Sequence, residues 1–327
     1  MSNAGENLLS FEKFSMGFKD EDLVYNLLDN LTFSVRKGSV LGAVGESGCG
    51  KSMPSLPVMR LLPPEAVVQG GRILFDGVDL MAKSPLEMEK IRGKDIGMVF
   101  QEPMTSLNPV FSIGRQIGES LRIHNPGVGQ EWVRNQVYQL LELVGISNPA
   151  KRFDQYPHQL SGGMRQRVMI AIAVACKPKL LIADEPTTAL DVTIQAQVLE
   201  LMQRLVKESG SSLMLITHNL GVVAETCDEA VVMYAGQIVE RGKVGQIFDH
   251  NAHPYTKGLM ASIPSLSSGD GELYSIPGTV PSIDNFGKGC RFADRCAHRK
   301  DRCGIAAPPL IEMSEGHFVA CWELGGA

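Results

Sequence analysis

A glycine-rich segment directly after a short apolar run limits the fold of this chain more than any other feature. The apolar run, Val40–Val44, predicts a buried strand. The segment after it fits the phosphate-binding loop pattern, and its members are Gly45, Glu46, Ser47, Gly48, Cys49, Gly50, Lys51 and Ser52. Glycines let successive backbone N–H groups face a phosphate, and the next helix points its positive end there. We therefore predict a nucleotide site on an α/β sheet.

Two acidic residues, Asp184 and Glu185, follow another apolar run. Residues 180–183 predict an inner strand of a parallel sheet. In open α/β sheets, ligands bind at the carboxyl ends of the strands. Asp184 is suited to hold Mg²⁺ together with the Ser52 hydroxyl, and Glu185 is suited to polarise the attacking water. Lys51 is expected to reach the β- and γ-phosphates. Acids at a strand end also act as helix caps or turn residues, which is the alternative for this pair.

Four further segments lie in the order in which ABC ATPases carry their motifs. Residues 160–167 (Leu-Ser-Gly-Gly-Met-Arg-Gln-Arg) resemble the ABC signature, and Gln101 resembles the Q-loop glutamine. Ala189-Leu190-Asp191 resembles the D-loop, and His218 the switch histidine. The resemblance covers residues 8 to about 250. It implies an α/β fold: an ABC-type P-loop NTPase core with an antiparallel β subdomain and a helical signature subdomain at about 104–165.

The resemblance also implies roles for these residues. Ser161, Gly162 and Gly163 are expected to close over the γ-phosphate bound to the opposite subunit, so that hydrolysis needs two such chains. In the same family His218 steadies the γ-phosphate in cis. Gln101 contributes to the Mg²⁺ site and reports nucleotide state to membrane subunits. Asp191 is expected at the nucleotide interface.

Three places depart from the family pattern or strain it. Pro57 removes a helical hydrogen bond, so the helix after the phosphate loop is expected to be kinked or short, whereas Pro54 fits in a first turn. Asn219 stands after the switch histidine, where the family usually has an acid. Phe18 and Tyr25 are both candidates for stacking on adenine.

The bulk composition argues against nucleic acid and against a membrane span. The net charge is −5, without a basic extension. The longest apolar run, residues 168–176, is well short of the roughly 20 residues that a spanning helix needs. No basic stretch followed by an apolar core marks a secretory signal. We expect a peripheral protein at the cytoplasmic face of the inner membrane.

Four of the seven cysteines lie in the last part of the chain, separated by five, six and seventeen residues. They are Cys290, Cys296, Cys303 and Cys321. Zinc knuckles usually pair cysteines two residues apart, a spacing that is absent here, whereas iron–sulfur clusters occur with several spacings. The spacing by itself leaves free thiols, zinc and an iron–sulfur cluster open.

The sequence around these cysteines resembles the tail of oligopeptide/dipeptide permease ATPases. The similar segments are residues 253–256 (His-Pro-Tyr-Thr), 276–278 (Ile-Pro-Gly), 289–292 (Gly-Cys-Arg-Phe) and 317–321 (His-Phe-Val-Ala-Cys). The resemblance implies a [4Fe-4S] cluster on these four cysteines, and not on Cys49, Cys176 or Cys227. We place a domain boundary at residue 250, with residues 1–250 as the nucleotide-binding domain. Residues 251–327 form a Pro- and Cys-rich extension, for which we expect a core of its own.

The resemblance implies an ATPase that energises a bacterial importer of di- or oligopeptides. Its expected partners are two permease subunits, a second ABC ATPase subunit, identical or paralogous, and indirectly an extracytoplasmic substrate-binding protein. Related systems carry nickel chelates or glutathione, so the substrate stays open. The alternative is a soluble ABC ATPase acting on ribosomes or DNA, but such proteins usually carry two fused cassettes, a coiled-coil insertion or a basic extension.

Overall fold

The computed structural model describes residues 7–188, 190–263 and 274–324, without the side chains of residues 103 and 104. These residues form two compact units. The first unit lies within Met1–Arg36, Val40–Met81 and Ile216–Ala327, and the second lies within Lys37–Ser39 and Ala82–Leu215.

The strands and helices are numbered in chain order. The strands are β1 (Asn7–Asp20), β2 (Leu23–Arg36), β3 (Val40–Val44), β4 (Ala66–Phe75), β5 (Val78–Asp79), β6 (Ile96–Val99), β7 (Leu180–Asp184), β8 (Ser212–Thr217), β9 (Glu229–Tyr234), β10 (Gln237–Lys243), β11 (Ile311–Ser314) and β12 (His317–Val319). The helices are α1 (Ser55–Met59), α2 (Pro85–Ile91), α3 (Pro103–Ser106), α4 (Ile113–His124), α5 (Gln130–Leu143), α6 (Pro149–Phe153), α7 (Gly162–Val174), α8 (Val192–Ser209), α9 (Leu220–Thr226), α10 (Val244–Asp249), α11 (Pro254–Ala261) and α12 (Asp301–Ile305).

Two sheets build the first unit. An antiparallel sheet has the strand order β2-β1-β4-β5, in agreement with the predicted antiparallel β subdomain. In the other sheet the order is β11-β12-β10-β9-β3, and β3 is parallel to β9. A turn at Asp76-Gly77 joins β4 to β5, and the hairpin of β9 and β10 turns at Ala235-Gly236.

The second unit carries the strand order β8-β7-β6 and the helices between α2 and α8. Strands β6 and β7 are parallel, and all residues of both are buried. Strand β7 has neighbours on both sides, as its apolar run predicts, whereas β6 lies at the edge of the sheet. Helix α5 buries the apolar stripe that its sequence spacing predicts: Val133, Val137, Leu140 and Leu141.

One hydrophobic core of the first unit contains residues from both sides of position 250. Val44 at the end of β3 belongs to it, as do Tyr234, Tyr255 and Phe292. The rings of these three aromatic residues lie 4.7–5.3 Å apart, centroid to centroid. The expectation of a separate core for the extension is therefore wrong, because its aromatic side chains fill the space behind the nucleotide-site strand. The predicted domain boundary at residue 250 stays a prediction.

Candidate nucleotide site

The phosphate loop lies in the first unit, and two of its glycines have positive φ angles. Gly48 and Gly50 have φ angles of 80° and 86°, a backbone conformation that residues other than glycine rarely adopt. The Cys49 N–H donates to the Glu46 carbonyl at 3.2 Å, and the Cys49 carbonyl accepts from the Gly236 N–H at 2.9 Å. The hairpin of β9 and β10 thereby holds the loop at its middle.

Lys51 and Cys49 differ in what they can offer to a phosphate. The Lys51 side chain is buried, and its Nζ donates to the Glu46 carbonyl at 3.4 Å. The Cys49 side chain is buried, and burial raises the pKa of its thiol to about 11. A neutral, buried thiol leaves only the backbone of Cys49 for a phosphate, whereas Lys51 supplies a charge.

The helix after the phosphate loop is short, as the prolines predict. Helix α1 contains only residues Ser55–Met59, and Pro54 is its N-cap. Turns connect the loop to it, with the Met53 N–H donating to the Gly50 carbonyl at 3.1 Å. A helix dipole of this length adds little to anion binding, so the backbone N–H groups and Lys51 carry the interaction.

Glu46 is held by residues of the C-terminal extension. Its backbone N–H donates to the Tyr255 hydroxyl at 2.8 Å, and its carboxylate pairs with the Arg295 guanidinium through two bonds of 2.7 and 3.0 Å. The Arg295 side chain is 5% exposed and that of Glu46 is 30% exposed. The carboxylate raises the pKa of Arg295, which stays charged.

His218, the predicted switch residue, is exposed directly after β8, where the chain enters α9. Asn219 is the N-cap of α9, and its Oδ1 accepts from the Val222 N–H at 3.3 Å. The departure from the family pattern at this position thus has a local reason, since asparagine is among the best helix N-caps.

The two adenine candidates pair with each other. Phe18 of β1 and Tyr25 of β2 are direct partners in the antiparallel register, and both are half-buried. Directly opposite residues share one face of a sheet. Phe18 and Tyr25 therefore lie side by side on the sheet, and the choice between them for stacking on adenine stays a prediction.

The second unit brings the predicted base and the Q-loop glutamine together. The Gln101 Nε2 group donates to Glu185 Oε2 at 3.2 Å, and the Thr188 hydroxyl donates to the same oxygen at 2.9 Å. Glu185 has a φ of 44°, which is strained for a residue with a side chain. Asp184 ends β7, and both acids are buried. The local arrangement orients one carboxylate oxygen of Glu185 through two donors.

The signature segment and the D-loop residue stand at helix starts. Ser161 is the N-cap of α7, and its hydroxyl accepts from the Met164 N–H at 3.4 Å. Gly162 lies exposed at the first turn, and a Cβ on Gly163 would stand 2.9 Å from a methyl group of Ile194. Asp191 is the N-cap of α8. Ala189 of the predicted D-loop lies outside the described residues.

The four C-terminal cysteines line one small cavity of about 20 Å³ together with His253 and His298. The Cys290 N–H donates to the Cys303 carbonyl at 2.8 Å, and a Cβ on Gly289 would stand 2.2 Å from that carbonyl oxygen. Burial raises the pKa of Cys290 to about 11. Within the described residues, no group of three or more His, Cys, Asp or Glu side chains has the geometry of a metal site. The cluster therefore stays a prediction.

Three residues of the site were not predicted from the sequence. Thr188 lies three residues after Glu185, and a turn between them brings its hydroxyl to the Glu185 carboxylate. Tyr255 lies in the segment 253–256 that resembles the family tail, and Arg295 directly precedes Cys296. The contacts of Tyr255 and Arg295 with Glu46 span 209 and 249 residues, which no local pattern reveals.

Comparison with known proteins identifies two matching families. Residues 28–188 match the family described as ABC transporter, and residues 239–303 match the family described as oligopeptide/dipeptide transporter, C-terminal region. Across the described ranges, no helix is long and apolar enough to cross a membrane.

Curated relatives match over almost the whole chain. The oligopeptide transport ATP-binding protein OppD of Bacillus subtilis (strain 168) is 50% identical over 97% of this chain and 89% of that protein. The dipeptide transport ATP-binding protein DppD of Escherichia coli (strain K12) is 46% identical over 96% of each chain.

Solved structures match the cassette part of the chain. MJ0796, a bacterial ABC transporter cassette with a dimeric structure, is 25% identical with a TM-score of 0.65, over 72% of this chain and 98% of that one. CbiO1 from Clostridium perfringens, part of the ABC transporter complex cbiONQ, is 27% identical with a TM-score of 0.64, over 75% and 92% of the two chains. The chain therefore belongs to the ABC transporter family as an ATP-hydrolysing, ATP-binding subunit of the oligopeptide/dipeptide transporter class.

Proposed function

We propose that this chain powers the import of di- and oligopeptides across a bacterial inner membrane, from its cytoplasmic face. The observation that carries the proposal is the match of residues 239–303 to the oligopeptide/dipeptide transporter region, since that region separates this class from other ABC proteins. The named functions of the relatives support the same substrate class.

In the first unit the phosphate loop binds the triphosphate. Its backbone N–H groups point at the phosphates, and Lys51 neutralises the β- and γ-phosphate oxygens. His218 contacts the γ-phosphate of the same chain. Phe18 or Tyr25 stacks on the adenine ring. Here the buried Lys51 side chain and the positive φ angles of Gly48 and Gly50 support the assignment.

The second unit supplies the hydrolytic groups. Glu185 accepts a proton from the attacking water, and the donors Gln101 and Thr188 fix the orientation of its carboxylate. Ser52, Gln101 and Asp184 offer a hydroxyl, an amide oxygen and a carboxylate, a donor set that suits Mg²⁺. Bound Mg²⁺ neutralises charge that develops on the phosphate oxygens.

The signature completes the site of a second ATPase subunit. The exposed Ser161 and Gly162 stand at the start of the 13-residue helix α7, so they offer a hydroxyl and N–H groups to the partner's γ-phosphate. Asp191 belongs to the same interface. ATP then joins two subunits, closure moves two permease subunits, and hydrolysis resets them. A substrate-binding protein outside the membrane delivers the peptide.

Cys290, Cys296, Cys303 and Cys321 are proposed to hold the [4Fe-4S] cluster that the family tail implies. Four soft sulfur ligands that line one cavity support the donor chemistry. When bound, the cluster cross-links the extension. The chain's own contribution is a fixed backbone beside the cavity, where the Cys290 N–H donates to the Cys303 carbonyl.

A pull-down from native membranes tests the proposed function. We expect two permease subunits and a second ABC ATPase to copurify with the tagged chain. The purified complex in proteoliposomes should import labelled peptide with ATP, and Lys51→Ala should abolish both import and ATP hydrolysis. Copurification with ribosomes or DNA and no permease would instead identify the soluble alternative. Import of a nickel chelate or of glutathione, without di- or oligopeptides, would overturn the substrate class alone.

A further inference from the structure

The phosphate loop of this chain carries an acidic residue inside an anion-binding site. Glu46 is the second residue of the loop, and its carbonyl already accepts from the Cys49 N–H and the Lys51 ammonium. A carboxylate on the same residue adds a negative charge close to where phosphates bind. Such a charge repels a triphosphate unless another group neutralises it.

The neutralising group comes from the C-terminal extension. The Arg295 guanidinium makes a bidentate pair with the Glu46 carboxylate and donates further bonds to the carbonyls of Pro277 and Ile276, at 2.8 and 3.2 Å. Its side chain is 5% exposed. A guanidinium with this many partners is fixed in one orientation, which favours a positioning role over an adventitious surface pair.

A second contact holds the backbone of the same residue. The Glu46 N–H donates to the Tyr255 hydroxyl, which is fully buried against Tyr234 and Phe292. The N–H, the carbonyl and the carboxylate of Glu46 therefore each have a fixed partner. Because Lys51 donates to that carbonyl, the position of Glu46 also sets where the Lys51 ammonium lies before nucleotide binds.

We propose that Tyr255 and Arg295 are positioning residues of the ATP site: they hold Glu46, and Arg295 cancels the Glu46 charge that would otherwise repel the phosphates. The extension is then part of the nucleotide-binding apparatus and not only a region that marks the transporter class. This inference rests on the nucleotide binding proposed above.

A double-mutant cycle on the full chain tests the charge argument. ATP affinity is measured with Mg²⁺ by displacement of a fluorescent ATP analogue. Arg295→Ala should weaken ATP binding roughly tenfold, the effect of one uncompensated charge near phosphates at the effective dielectric of a protein surface. Glu46→Gln should stay within about threefold of the parent chain. Combining the two changes should restore the affinity to within about threefold, because no charge is left to repel the nucleotide.

Two readouts separate this role from a purely structural one. The loss in Arg295→Ala should be larger for ATP than for AMP and should shrink in high salt, since screening weakens charge repulsion. Tyr255→Phe should cost less, about threefold, and equally at both salt concentrations, because it removes a neutral hydrogen bond. Arg299→Ala, which removes the exposed pair with Asp294 in the same segment, is the matched control and should leave ATP affinity unchanged.

The proposal is overturned if Arg295→Ala weakens ATP binding equally in the parent and in the Glu46→Gln background. An unchanged affinity in Arg295→Ala overturns it as well. Should that variant fail to fold, Arg295→Lys keeps the charge and loses the bidentate geometry, and a loss of tenfold or more there would refute the charge argument. Retained ATP binding in Lys51→Ala would refute the nucleotide site itself, which distinguishes the two failures.

Discussion

Replacing Glu185 by glutamine should separate ATP binding from ATP hydrolysis. Glutamine has nearly the same shape and keeps a side-chain oxygen that can accept from Gln101 and Thr188, so the local structure around β7 should persist. The amide cannot take a proton from water, so the general base is lost. Nucleotide binding should survive, because the phosphate loop in the other unit is unchanged.

The magnitude follows from the role of the base. Loss of a positioned general base lowers turnover by roughly 10² to 10⁴, which corresponds to about 3–5 kcal/mol in the activation barrier. Gln101 and Thr188 both donate to Glu185 Oε2, so the carboxylate is oriented in advance, and we expect the upper part of this range.

Phosphate release by the reconstituted transporter measures turnover, and displacement of a fluorescent ATP analogue measures affinity. The variant should also accumulate a closed, ATP-bound dimer. Size-exclusion chromatography detects this dimer for the isolated chain, and cross-linking detects it in the assembled transporter. Glu200→Gln, the same chemical change at an exposed position of α8, is the control and should hydrolyse ATP normally. Near-normal turnover in Glu185→Gln would mean that another group activates the water.

Three further predictions concern the signature, the extension and the cysteines. Ser161→Arg should abolish hydrolysis at the partner's site in a mixed complex, while this chain still binds ATP; loss of binding on its own chain would refute the assignment in trans. Glu240 is fully buried and accepts hydrogen bonds from the Ala252 and His253 N–H groups and from the His317 ring. Glu240→Gln should lower the free energy of unfolding by about 2–3 kcal/mol, because one buried donor then loses its acceptor. The exposed control Glu12→Gln should cost less than about 1 kcal/mol in the same denaturation experiment. Anaerobically purified protein should be brown, with about four irons and four sulfides per chain. Replacing a cavity cysteine by serine should remove the colour, whereas replacing Cys49, Cys176 or Cys227 should not. Colourless protein with one zinc, or with freely alkylated thiols, would refute the cluster.

Local patterns in the sequence were sufficient for much of the site. The phosphate loop needs glycines at particular places and a preceding strand, and both are contiguous in the chain. The buried strand before Asp184 likewise depends on near neighbours in sequence, so its apolar run predicted it. The apolar spacing of α5 and the Asp76-Gly77 turn are local in the same way. The prolines after the loop predicted the short helix α1 for the same reason.

The tertiary structure decided how the extension relates to the phosphate loop. Proline and cysteine content after residue 250 predicted a region with its own core, but composition carries no information on which surface an aromatic side chain packs against. Tyr255 and Phe292 fill the core behind β3, and Arg295 reaches Glu46 across 249 residues of sequence. Such contacts form only when the β3, β9 and β10 strands are assembled, because the hairpin and the extension together make the pocket for these side chains. The motifs of an ATP site are thus local, whereas the support that holds this phosphate loop in place is a property of the folded chain.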